Sequence, residues 1–207
     1  MSCELILIRH AEVEQQWQKI CYGALDVPLS EQGIIASRLC AERLEASEAP
    51  TFVFHSGLTR TKILAHFIAE RFCGATLTAD ERLRERNYGQ WQGQSWDDAY
   101  ASDPEHFQNL VDRPDTYRPP GGETTTEMQR RIVQWYEEII GKSSDGRIIA
   151  ISHSGPIAAL AGHLVGAPAN QWQPWLLKNL ESFRINPEQT FTFGRESLAR
   201  ASGLAKN

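Results

Sequence analysis

The stretch Cys3-Glu4-Leu5-Ile6-Leu7-Ile8-Arg9-His10 decides the reading of this chain. Four consecutive aliphatic residues stop abruptly at an arginine and a histidine. A short, continuous apolar run of this kind fits a strand buried on both faces, as in a parallel sheet. The charged pair at its carboxyl end then marks a functional loop. A second run repeats the design: Arg147-Ile148-Ile149-Ala150-Ile151 leads into Ser152-His153-Ser154-Gly155. In open α/β sheets, ligands bind beyond the carboxyl ends of the strands. Two strands ending in histidine can therefore place His10 and His153 in one crevice. Either histidine alone reads equally well as a hydrogen-bonded strand end.

Working outward, Ser30 is an N-cap for a helix carrying Ile34, Ile35, Leu39, Cys40 and Leu44. Thr51–His55 follows a proline and is rich in β-formers, which predicts a second strand. Residues 58–72 return to helical spacing. Residues 79–93 have no clean period and are expected to be loop with a short strand. From Ser95 to Glu123 the chain turns rich in Asp, Pro and aromatics, which predicts a helical, flap-like excursion near 95–122. Thr126–Ile140 puts Met128, Ile132, Trp135, Tyr136 and Ile139 on one helical face. Ile157–Val165 is an apolar helix stopped by Gly166. Residues 183–185 and 190–193 are expected to form a closing hairpin, with a polar tail from about Ser197. Alternating strands and helices predict one α/β domain over 1–207, with a mainly parallel central sheet and helices on both faces.

The 207 residues suffice for a core burying roughly 70% of the unfolded surface. With 41% hydrophobic and 23% charged residues, disordered, collagen-like and coiled-coil classes are excluded. No apolar run approaches the ~18–20 residues of a membrane span, and the N-terminal run is too short for a signal segment. The net charge of −5 disfavours nucleic acid as a partner. Cys3, Cys21, Cys40 and Cys73 form no C-x-x-C pair, so thiols in a reducing cytoplasm are expected. A homodimer is left open.

The neighbours of His10 narrow the chemistry. Arg9 precedes it, Glu12 follows two residues on, and Arg60 comes shortly after the second predicted strand. Arginines repel a metal cation but fork onto phosphate oxygens. An imidazole held among cations resists protonation and stays nucleophilic. The residues then carry a resemblance. Leu7-Ile8-Arg9-His10-Ala11-Glu12 resembles the R-H-G-E signature of the histidine phosphatase superfamily, also called phosphoglycerate mutase-like. Residues 22–33, Tyr22-Gly23-Ala24-Leu25-Asp26-Val27-Pro28-Leu29-Ser30-Glu31-Gln32-Gly33, are similar to its G-x-x-D-x-x-L-[ST]-x-x-G segment. Ser56–Arg60, Leu83–Gly93, Pro120–Glu123 and Ser152-His153 resemble four further segments, in the family's order.

The resemblance implies phosphoryl transfer through a phosphohistidine on His10, with no metal and no cofactor. Arg9, Arg60 and His153 would hold the transferred group, with Gln16 and Ser154 as further phosphate contacts. Glu85 would protonate the leaving oxygen and then activate water. Taken without the resemblance, Glu85 reads as a surface carboxylate paired with Arg84 or Arg86. Tyr22, Gly23 and Tyr88 would face a small phosphorylated metabolite. Several positions depart from the family pattern: Ala11 for Gly, Val13 for Ser or Thr, Gln16 for Asn, Leu64 for Thr, and Ser154-Gly155 after the second histidine. Phosphoglycerate mutases of this family are longer, carry paired arginines in an insertion, and have a lysine where Trp96 stands. A phosphatase, such as an α-ribazole or broad-specificity phosphatase, is therefore preferred. Trp91 and Trp96 could stack on a substrate ring or simply pack the excursion onto the core.

Other readings fit less well. Around Ser152-His153-Ser154-Gly155 the chain imitates a serine-hydrolase elbow but fails both outer glycines. A metal hydrolase lacks H-x-x-x-H or an acidic cluster. A non-catalytic phospho-ligand-binding relative would be expected to lose His10 or Glu85.

Overall fold

The computed structural model describes residues 3–142, 146–186 and the strand backbone at 194–197. Strand β1 (Cys3–Arg9) lies beside β4 (Gly146–Ser152), in parallel, with Arg9 opposite Ser152. Strand β2 (Phe52–His55) extends the sheet on the other side of β4, and β3 (Thr76–Ala79) follows it. On the far side of β1, β5 (Glu181–Ile185) and then β6 (Gly194–Ser197) run antiparallel. The strand order is β3-β2-β4-β1-β5-β6, so the sheet is mainly parallel and the two histidine-terminated strands are its central pair.

Period-two alternation along β1 divides the core. Leu5 and Leu7 face one side with Ile148 and Ala150, against α5 (Thr125–Lys142) and α6 (Ser154–Val165). Ile6 and Ile8 face the other side with Val53, Ile149 and Ile151, against α1 (Glu31–Arg43) and α2 (Thr59–Arg71). Each fully buried Leu or Ile here contributes roughly 1.5–3 kcal/mol, which fixes the register and hence the position of whatever follows the strands.

The expected elements recur with shifted ends. Ser30 caps α1, its hydroxyl accepting from the Gly33 amide at 2.9 Å. Gly166 closes α6 in the left-handed conformation. The loop expected at 79–93 holds only two 3-10 turns, and its strand lies earlier, at 76–79. Edge position explains the miss, because β3 is mostly exposed and shows no buried pattern to read. The closing hairpin exists as β5–β6, but its second strand is at 194–197; residues 190–193 lie outside the described residues. The excursion contains α3 (Trp96–Ser102) and α4 (Pro104–Asp112). Among the described residues, no helix is long and apolar enough to cross a membrane.

Candidate active site

His10 and His153 stand at equivalent positions just past the central strands. The His10 amide donates to the Ser152 carbonyl at 3.1 Å, extending the ladder by one step. The two rings meet edge to face with centroids 5.0 Å apart. His10 is 1% exposed, His153 and Arg60 not at all.

The hydrogen bonds assign the tautomers. The His10 Nδ1–H donates to the Ala11 carbonyl at 2.6 Å, which leaves the Nε2 lone pair as the reactive atom. Arg60 Nε donates to His153 Nδ1 at 3.3 Å. Since a guanidinium only donates, this Nδ1 is an acceptor, and the ring proton sits on Nε2, which donates to Ser56 Oγ at 2.9 Å. Ser56 then donates to Thr61 Oγ1 (2.9 Å), and Thr61 to the Leu58 carbonyl (2.8 Å). His153 is thus held neutral by a relay ending on the backbone. Burial first, and then the Arg60 charge, keep both histidines well below the ordinary imidazole range; Arg9 adds to this at His10.

Because both rings stay neutral when folded and titrate near pH 6.5 when unfolded, protons favour the unfolded chain below that pH. Stability is expected to fall as pH drops from 6.5 towards 5, with a slope that steepens to at most about 1.4 kcal/mol per pH unit for each buried histidine. Urea midpoints measured across this window check it; a flat profile would contradict the assignment.

The first residues of the segment 22–33 hold Arg60. The Gly23 and Leu25 carbonyls accept from the Arg60 NH2 and NH1 groups, both at 2.6 Å. Asp26 caps α2 from outside, accepting from the Thr59 amide (2.7 Å) and hydroxyl (2.8 Å). The Tyr22 ring lies 5.1 Å from the guanidinium. Gly23 has φ +40°, and a Cβ there would come within 2.6 Å of the Arg86 carbonyl. Tyr22 and Gly23 therefore support Arg60, which the sequence had as faces for the substrate. Arg9 donates from NH1 to the Leu177 carbonyl at 2.6 Å, while its buried Nε has no partner.

Glu85 is not the ion-paired surface carboxylate of the alternative reading. Arg84 pairs with Glu81 at 2.8 Å, and the Arg86 guanidinium donates to the Tyr117 and Glu123 carbonyls. The Glu85 carboxylate accepts instead from the Arg86 amide (2.9 Å) and the Gly155 amide (3.2 Å), the latter at the N-terminus of α6. A Cβ on Gly155 would lie 2.3 Å from Glu85 Oε1, so a side chain here would push the carboxylate aside. Behind the carboxylate, Arg131 pairs with Glu123 and donates to the Glu85 and Arg82 carbonyls. Ser152 Oγ donates to the Leu83 carbonyl at 2.7 Å.

The remaining expected contacts lie elsewhere. Gln16 is exposed, and its amide donates to Glu14. Ser154 Oγ donates to the Leu177 carbonyl. Val13 and Leu64, in the places of hydroxyl donors, are buried in the α1–α2 core. Trp91 packs on Phe107 and Tyr117, and Trp96 on Tyr88 and Phe107, which is the packing alternative. Tyr88 borders an apolar cavity beside Glu85. Burial pushes the Cys21 and Cys40 thiols up to about 12. The sequence reading passed over Ser56 as a hydrogen-bond partner of His153, Arg131 as a brace, and Asn179, which donates to the His10 carbonyl at 2.9 Å.

The sheet brings two neutral histidines and two arginines together beyond its central strand ends, a charge balance suited to an anion. The chain belongs to the histidine phosphatase superfamily (branch 1), whose profile matches residues 5–192. It is 28% identical to a probable phosphoglycerate mutase from Yersinia pestis, over 90% of this chain and 86% of that protein. It is also 28% identical to the solved mycobacterial glucosyl-3-phosphoglycerate phosphatase, with a TM-score of 0.78 over 90% of this chain and 91% of the other. An α-ribazole phosphatase from Shigella flexneri shares the fold at 20% identity, with a TM-score of 0.82 over 98% of this chain and all of that one.

Proposed function

We propose that the chain is a phosphomonoesterase working through a phosphohistidine on His10. The observation that carries this reading is the His10 ring itself. It is buried and neutral, with Nδ1 tied to a backbone carbonyl and Nε2 left available beside Arg9 and Arg60. In the first step Nε2 attacks phosphorus in line, and the ester oxygen leaves with a proton from Glu85. In the second, water attacks the phosphohistidine and gives its proton back to Glu85, releasing phosphate and His10. Arg60 and the Nε–H of Arg9, which has no other partner, would meet the phosphoryl oxygens. His153 stays as a neutral wall, since its Nε2 proton is already given to Ser56. This also argues against a serine nucleophile. Ser152 is fully buried and bound to a carbonyl, and His153 has no basic nitrogen to offer Ser56.

Hydrolysis is favoured over mutase chemistry because Trp96 packs against Tyr88 and Phe107. The family resemblance implies a lysine at this place in phosphoglycerate mutases, so a cation that would help retain a bisphosphate has no counterpart here. The reading is tested by quenching the protein after brief exposure to a labelled phosphomonoester. Acid-labile, base-stable label on His10 is expected, and full activity in His10→Ala would overturn it. Because Arg9 and Arg60 already supply positive charge, turnover is expected to survive exhaustive chelation. A strict requirement for added Mg²⁺ or Zn²⁺ would contradict that part.

A further inference from the structure

A cavity of about 630 Å³ opens beside Glu85 and Gly155, and none of His10, Arg9, Arg60 or His153 lines it. It therefore offers room beyond the acid, on the side where an ester's organic part can lie. Its walls are Leu110 and Val111 of α4, Met128 of α5, and Trp172 and Leu176 from the segment after α6. Val111 is 69% exposed and Leu176 45%, so apolar groups at the mouth are left to water until something covers them.

The polar groups around it select against charge. Arg86 is the one cation among the lining residues, and it is committed to the Tyr117 and Glu123 carbonyls and to the face of Tyr88. Glu85 also borders the cavity and offers an anionic substituent no positive charge. Asn170 and Gln173 are exposed amides that can bond neutral hydroxyl or imide groups. A second cavity of about 340 Å³ borders Glu85 from another side and is lined by Arg82, Arg84 and Arg131. Each of these arginines is already paired, with Asp80 and Glu138, with Glu81, and with Glu123 respectively.

Building on the phosphatase reading, we infer that the substrate is the phosphomonoester of a bulky, largely apolar, uncharged alcohol. Its organic part occupies the cavity between α4 and residues 169–176. The test compares n-hexyl phosphate, ethyl phosphate, 3-phosphoglycerate and phosphoserine. Hexyl and ethyl alcohols leave with similar intrinsic ease, so their difference reports the cavity. A kcat/KM at least about 10-fold higher for the hexyl ester is expected. The gain should sit mainly in KM. Val111→Asp and Leu176→Asp, both at exposed positions, are expected to bring the hexyl-to-ethyl ratio of kcat/KM most of the way to one. Equal kcat/KM for the hexyl and ethyl esters, or a preference for the two carboxylate-bearing esters, would overturn the inference and leave the phosphatase reading standing. Absence of both turnover and His10 label with every ester would instead overturn the reading on which it rests.

Discussion

Glu85→Gln is expected to lose on the order of 10²–10⁴ in turnover of alkyl phosphates. The amide keeps the shape of the side chain and removes the transferable proton. An aryl phosphate, whose leaving group departs without protonation, should lose far less in the same variant. Gly155→Ala provides an independent route to the same signature. Its methyl would fall 2.3 Å from Glu85 Oε1 and displace the carboxylate without changing its chemistry. The alkyl-to-aryl ratio in both variants is the measurement. Equal losses on the two ester classes would show that Glu85 only shapes the pocket.

Arg60→Ala is expected to cost roughly 10²–10³ in kcat, the scale of losing one preorganised donor to a developing anion. The variant also leaves the Gly23 and Leu25 carbonyls without their donor, at about 1–3 kcal/mol for each buried group left unsatisfied. Thermal melting must therefore accompany the kinetics. Arg60→Lys separates the contributions. It keeps the charge but cannot fork to two carbonyls and His153 together. A folded Arg60→Lys protein with undiminished kcat would show that charge alone suffices and that the guanidinium geometry is dispensable.

How far the sequence alone reaches depends on what kind of atom does the work. The β1 and β4 cores, the two histidines beyond them, and Arg60 were legible because each is marked by side-chain identity next to an apolar run. The supports of Arg9 were not, since the partner is the Leu177 carbonyl, and any residue at 177 would present one. Asn179 gave no signal for the same reason: its contact is to the backbone of His10. Val13 was expected as a weakened phosphate contact but serves the hydrophobic core, paired across a bridge with Leu29. Gly155 stood out only as a departure from pattern. Its role became visible once the Glu85 carboxylate was seen resting on the start of α6.

The central pairing of β1 with β4 has a consequence for how the protein comes to be active. Residues 3–9 zip against residues 146–152, so the two histidines become neighbours only once the chain has been made as far as residue 153. Such distant pairing carries a large loop-closure cost and slows folding. During synthesis the first histidine emerges long before its counterpart, and β1 must wait with its four aliphatic residues unpaired. Assembly of the site is therefore a late and abrupt event in the life of the chain, and an N-terminal fragment ending before β4 would hold His10 yet have no site around it.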